Sequence, residues 1–148
     1  VTNTGAATTL TGSSGNDTMI GGAGNDTIDG GSGVDVLTGG AGSDQFRFSV
    51  LPNFGLKTIT DFSTGADSLW FNHLVFTGLG TTSTGTTFAT GDFASTAGHA
   101  PLATNTSHLI FDTVDHNLYY QASGSLNVAQ VAVIGATHTV AVGDIHLY

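Results

Sequence analysis

Apolar residues at Leu10, Met19, Ile28, Leu37 and Phe46 stand nine residues apart, and Asp17, Asp26, Asp35 and Asp44 keep the same interval. Self-similarity at a fixed period marks a repeat architecture, in which each copy buries its apolar residue only by stacking on its neighbours. The copies are GSSGNDTMI (12–20), GGAGNDTID (21–29), GGSGVDVLT (30–38) and GGAGSDQFR (39–47), behind a degenerate NTGAATTLT (3–11). Their common pattern is Gly-Gly-x-Gly-x-Asp-x-apolar-x.

Each position has a physical reason. Six Gly-rich residues turn the chain through left-handed backbone conformations closed to bulkier side chains, and the next three form a short strand with one inward side chain. One unit is therefore half a coil, and two units complete a turn of a flattened parallel solenoid with loops along both edges. Consecutive units lie on opposite edges. Asp17 is expected to stack with Asp35 along one edge, and Asp26 with Asp44 along the other. Carboxylates about 5 Å apart repel by roughly 3 kcal/mol at an effective dielectric near 20. A divalent cation between the loops reverses the sign of that interaction. Calcium suits such loops because it accepts six to eight oxygens in flexible geometry, whereas magnesium demands a stricter octahedron.

Composition narrows the function. The 11 acids, all Asp, face only Arg47 and Lys57, for a formal net charge of −9. With no Glu, the acidity is not that of a solvated helical face. Two separated bases cannot build a phosphate-binding surface, so no nucleic-acid partner is expected. The chain has no Cys and hence neither disulfide nor thiolate metal site, so a small domain of this kind finds its staple elsewhere, and a bound ion is the obvious candidate. No apolar run approaches the roughly 18 residues of a membrane span, and no membrane insertion is expected. Val1-Thr2-Asn3-Thr4 has neither a signal-peptide pattern nor an initiating Met, so the chain is read as a piece of a longer protein.

The four units resemble the haemolysin-type, or repeats-in-toxin (RTX), calcium-binding nonapeptides. The resemblance implies several calcium ions held between loops on the same edge. The implied ligands are Asp17, Asp26, Asp35 and Asp44 and the loop carbonyls of Gly12, Ser14, Gly15, Gly21, Ala23, Gly24, Gly30, Ser32, Gly33, Gly39, Ala41 and Gly42. Ser13 replaces the second Gly of the first unit, and Thr8 stands where the degenerate unit would carry Asp, so the N-terminal site is expected to be incomplete.

From Phe46 the period stops. Phe46 and Phe48, Ile59 to Phe62, and Leu69 to Phe71 are expected to form antiparallel strands that close the roll. The stretch TITDFSTGADSLWF (58–71) resembles the segment after the repeats in serralysin-type proteases and alginate epimerases. That resemblance implies that Asp61 completes a site on the last loop, while Asp67 is either a further ligand or an ordinary turn residue. Residues 77–107 are expected to be loops around one strand near Phe88. Residues 108–113, 118–121, 128–135 and 144–148 are expected to be core strands of the cap. HLIFDTVDHNLYYQASGS also resembles a family strand-turn-strand segment, but Gln121 and Ser123 fill its acidic places, so no additional calcium is expected there.

The expected fold is all-β: a parallel β-roll solenoid over residues 3–47, capped by an antiparallel segment over 48–148. No HExxH helix, Gly-x-Ser-x-Gly elbow or phosphate-binding loop is present, so no catalytic role is expected. Two functions fit. One is calcium-triggered folding and secretion of a larger extracellular protein, since residues 142–148 resemble the tail read by the type I secretion machinery. The other is an accessory module for anionic polysaccharide or a cell surface.

Overall fold

A computed structural model of the 148-residue chain describes residues 2, 5–79, 93–98, 108–135 and 137–148. Each nonapeptide delivers one strand. β1 (Thr9–Thr11), β3 (Thr27–Asp29) and β5 (Gln45–Phe48) alternate along the chain with β2 (Thr18–Ala23) and β4 (Asp35–Ala41). The first three pair in parallel in one sheet and the other two in a second. Two units thus make one coil, and residues 18 apart lie side by side. Leu10, Ile28 and Phe46 stack inside the first sheet, Met19 and Leu37 inside the second. The turns between strands need positive φ at the second and fourth pattern positions, with Gly22 at 107°, Gly24 at 110°, Gly40 at 101° and Gly42 at 131°. A side chain there would be strained.

Beyond Phe46 the expected antiparallel pairing does not occur. β6 (Lys57–Ile59) and β7 (Ser68–Phe71) lie parallel to β4 and β5 and continue both sheets. β12 (Ile145–Leu147) adds to β7, again in parallel. Parallel placement continues the apolar columns in register: Ile59 follows Leu37, and Leu69 and then Ile145 follow Phe46. A second column forms beside it from Phe48, Phe71 and Leu147, with the two Phe rings stacked at 4.6 Å. Only the coil length changes, from 18 residues to 22 and 23. The additional residues form a 3-10 turn at Pro52–Phe54 and the turn that follows Phe62.

Antiparallel pairing enters further along the chain. β10 (Asn117–Gln121) runs antiparallel between β9 (His108–Asp112) and β11 (Val128–Val133), β8 (Phe93–Thr96) flanks β9 in parallel, and β11 joins β6 in parallel. The second sheet therefore runs from repeat strands into the cap without an edge between them. Phe76 knits the cap to the roll, meeting Phe71 at 5.1 Å and Tyr120 at 5.2 Å edge-on. The strand expected near Phe88 lies outside the described residues.

Candidate metal centre

The coil geometry sorts the aspartates into two columns. On one edge the Asp17 N–H donates to Asp35 Oδ1 at 2.9 Å. On the other, Thr8 N–H donates to Asp26 Oδ1, Asp26 N–H to Asp44 Oδ1 and Asp44 N–H to Asp67 Oδ1, at 2.8, 2.8 and 3.0 Å. Asp26, Asp35, Asp44 and Asp67 each thus spend one carboxylate oxygen on the backbone of the preceding coil. The expected pairings of Asp17 with Asp35 and of Asp26 with Asp44 are those seen.

The second oxygen carries the chemistry. Asp26 and Asp44 are each 1% exposed, and their Oδ2 atoms have no hydrogen-bond partner among the described residues. A buried carboxylate oxygen left in this way costs several kcal/mol unless a cation meets it. Burial pushes the Asp44 carboxyl above the ordinary range, and the charges of Asp67, Asp26 and Asp61 push the same way against the hydrogen bond from Asp26. Burial raises Asp67 too, with Asp61 and Asp144 adding to the effect. The first glycine of each loop is required by the same packing. A Cβ on Gly21 or Gly39 would collide with the Oδ2 of Asp26 or Asp44, and one on Gly30 with that of Asp35.

Asp35 shows what such an oxygen attracts. Its Oδ2 accepts no directed hydrogen bond but lies 2.8 Å from Lys57 Nζ, which also donates to the Gly33 carbonyl at 3.1 Å. One carboxylate oxygen and one loop carbonyl thus hold a positive charge in the buried edge. By repeat equivalence the same atoms are Asp17 Oδ2 with the Gly15 carbonyl, Asp26 Oδ2 with Gly24, and Asp44 Oδ2 with Gly42.

The remaining expected ligands fall around these positions. Gly12 packs against Asp17, where a Cβ would meet Asp17 Oδ2 and the Gly30 carbonyl. Ser14, Ala23 and Ala41 lie on the exposed rim of the loops and Ser32 is half-buried; the Ala41 carbonyl accepts the Gly24 N–H at 2.8 Å. Asp17 differs from the others. It is half-buried, and its Oδ2 accepts Ser13 N–H at 2.7 Å and Ser13 Oγ at 3.2 Å, so the non-glycine residue of the first unit satisfies it locally. Asp61 meets the last repeat loop, as expected of its position, through its two oxygens, which accept the Gly39 and Gly40 N–H groups at 2.9 and 2.8 Å. The column position after Asp44 belongs to Asp67, whose Oδ2 takes the Ser63 N–H at 2.8 Å as Asp17 takes that of Ser13.

Three residues that tie the edge loops together had not been singled out from the sequence. Asn16 and Asn25 share the fifth position of their units, and their Oδ1 atoms accept the Val34 and Ser43 N–H groups of the next loop on the same edge. Their spacing of nine was a usable signal. Lys57 had none, because it follows the end of the period.

The donor set fits calcium. Among the described residues no three His or Asp side chains converge, and the oxygens on offer are Asp carboxylates and main-chain carbonyls, the hard ligands calcium prefers. Calcium held there would supply the positive charge that the partnerless oxygens of Asp26 and Asp44 lack.

Comparison with known proteins bears on the same loops. A family model for the RTX calcium-binding nonapeptide repeat matches residues 11–46 in four copies. The solution structure of the AlgE6R3 subunit from the Azotobacter vinelandii mannuronan C5-epimerase is similar over 97% of this chain and 79% of that one, with 24% identity and a TM-score of 0.45. No curated protein matches the chain. With four copies matched and their carboxylates stacked in two columns, residues 11–46 are RTX calcium-binding nonapeptide repeats.

Proposed function

We propose that this module is a calcium-operated folding switch in a longer exported protein, itself without catalytic role, with residues 3–47 as its calcium-binding part and residues 48–148 as its cap. The observation that carries this reading is the pair of buried, partnerless oxygens on Asp26 and Asp44, inside a column that holds four acidic or capping positions from Thr8 to Asp67. Without a cation those carboxylates oppose the roll that buries them, and so folding is linked to calcium. Affinity in the weak extracellular range, about 10⁻⁴–10⁻³ M, keeps the chain open at cytosolic calcium and closed outside the cell.

The C-terminal strand supports the link to export. Ile145 and Leu147 are fully buried against β7, in the apolar columns that begin in the repeats. Residues 142–148 are therefore free to be read by a type I exporter only while the roll is open. The test is far-ultraviolet circular dichroism in chelator and then in millimolar calcium. The β signal is expected to appear with calcium, and an equal signal in both conditions rejects the reading. Export is tested separately with a type I exporter, where loss of residues 142–148 is expected to abolish secretion.

A second reading draws on one feature, an open groove lined by Asp61, Ser63, Thr64, His138 and Thr139. A carboxylate can hold a calcium ion that the glycan's own oxygens also ligate, and hydroxyls beside it can hydrogen-bond the sugar. Calcium-dependent retention on an anionic polysaccharide column, lost on substitution of Asp61 and His138, would establish that role.

A further inference from the structure

The two edges of the roll end differently. Asp26 and Asp44 are followed by another aspartate, Asp67. Asp17 and Asp35 are followed by Lys57, which is the register partner of Asp35 across β4 and β6. We propose that Lys57 is a tethered cation that takes the place of a calcium ion at the C-terminal end of this edge, so that the edge is closed by the chain's own charge. This inference rests on the calcium reading above for what the ammonium replaces, though not for the contacts themselves.

The contacts are those of a bound cation. Nζ lies 2.8 Å from Asp35 Oδ2 and donates to the Gly33 carbonyl at 3.1 Å. Lys57 is 2% exposed and Asp35 is fully buried. Lysine is almost never so deeply buried unless paired, because its ammonium is strongly hydrated. Here it is the only lysine of the 148 residues, in a chain whose other base, Arg47, lies over the Tyr148 ring at 4.9 Å. The comparison within the molecule is direct. Three buried aspartates occupy equivalent loop positions, and the one facing Lys57 is neutralised while Asp26 and Asp44 present bare oxygens.

Two consequences follow. The edge of Asp17 and Asp35 takes up one calcium fewer than a run of aspartates would, and the coil from Gly30 to Ile59 keeps its charge balance when calcium is absent. That coil also has its own backbone ties, Gly33 N–H to the Phe54 carbonyl at 2.7 Å and Asp35 N–H to the Leu56 carbonyl at 3.0 Å. Lys57 thus makes this coil the part of the roll least dependent on calcium.

The experiment uses the whole chain and Lys57→Asp, which restores the repeat residue, with calcium bound per chain measured by equilibrium dialysis at saturation. Lys57→Asp is expected to bind one calcium more than the unsubstituted chain. An unchanged number in a variant that folds by circular dichroism overturns the proposal. If Lys57→Asp does not fold, the unsubstituted chain decides, because Lys57 carries the only side-chain amine and its acylation is read at that residue by peptide mapping. Acylation of Lys57 at saturating calcium is expected to be at least about tenfold slower than in denaturant, as for a group exposed only by local opening. Acylation at the denatured rate in the folded, calcium-loaded chain means that the ammonium has been displaced, and it overturns the proposal. Failure of the unsubstituted chain to bind any calcium would instead reject the calcium-switch reading, and acylation would still report on the ion pair.

Discussion

Asp44→Asn should have opposite effects with and without calcium. Asp44 is the central member of its column: its Oδ1 holds the Asp26 N–H, its own N–H goes to Asp67, and its Oδ2 is bare. Asparagine keeps an acceptor for the Asp26 N–H and puts an NH2 group, able to donate to loop carbonyls, where the bare oxygen was. In chelator the substitution removes a buried charge that three neighbouring aspartates repel. Relief of an unsatisfied buried group is worth about 1–3 kcal/mol, so about 2 kcal/mol raises the folded-to-unfolded ratio about thirtyfold. In calcium the same change removes the proposed ligand oxygen of the residue that links Asp26 to Asp67 in the column. The calcium midpoint should then rise by about tenfold or more, since each 1.4 kcal/mol lost is a factor of ten. Asp17→Asn is the control, because Asp17 is half-buried at the column end and its Oδ2 is already satisfied by Ser13, so both effects should be within about 1 kcal/mol. The assay is a calcium titration followed by circular dichroism and by the fluorescence of Trp70, which lies in β7. Equal loss of structure by Asp44→Asn in chelator and in calcium would refute the reasoning, since it would make the carboxylate a plain structural acceptor.

Other outcomes follow from the same geometry. Asp26→Ala and Asp44→Ala should be coupled in a double-mutant cycle on calcium affinity, by about 0.5–3 kcal/mol, whereas Asp26→Ala and Asp35→Ala on opposite edges should be nearly additive; equal coupling would contradict the half-coil arrangement. Gly21→Ala should abolish calcium-induced folding because its Cβ meets Asp26 Oδ2 and the Gly39 carbonyl, while Gly65→Ala, with open space around it but φ of 78°, should cost only about 1–2 kcal/mol by thermal unfolding. Burial lowers the pKa of His146, against the pull of Asp144, where its ring stacks on Trp70 at 4.7 Å. The unfolded tail therefore takes a proton more readily than the docked one, so the docking of β12 is complete above about pH 6.5 and weakens as pH falls below it. The protection of the Tyr148 N–H, which bonds the Phe71 carbonyl, against hydrogen exchange, corrected for the intrinsic pH dependence of exchange, should fall over that range, and His146→Phe should flatten the dependence; identical slopes for both chains would count against it.

The nine-residue period was enough, without coordinates, to place the strands, the inward residues and the two aspartate columns of residues 9–47. That is because every such feature repeats within one short unit, and counting along the chain reproduces the stacking of coils. The loop glycines were legible for the same reason, although which of them need positive φ and which need room for a carboxylate oxygen emerged only with the packing. After Phe46 counting fails. The coils lengthen to 22 and 23 residues, so a residue's distance from Asp35 or Asp44 no longer tells whether it joins their column. Asp61 and Asp67 could not be told apart by spacing, and the structure put Asp67 in the column and Asp61 on the Gly39 and Gly40 amides. Likewise the alternation in residues 57–59 and 68–71 identifies strands but not their direction, which was decided by continuation of the apolar columns from Leu37 and Phe46. The place of β12 beside β7, with a hydrogen bond between residues 75 apart, and the meeting of Lys57 with Asp35 arise from contacts between distant segments. Local sequence carries no trace of such contacts, because the energy that selects them is the burial of a shared core and the neutralisation of a charge that exists only once the coils have stacked.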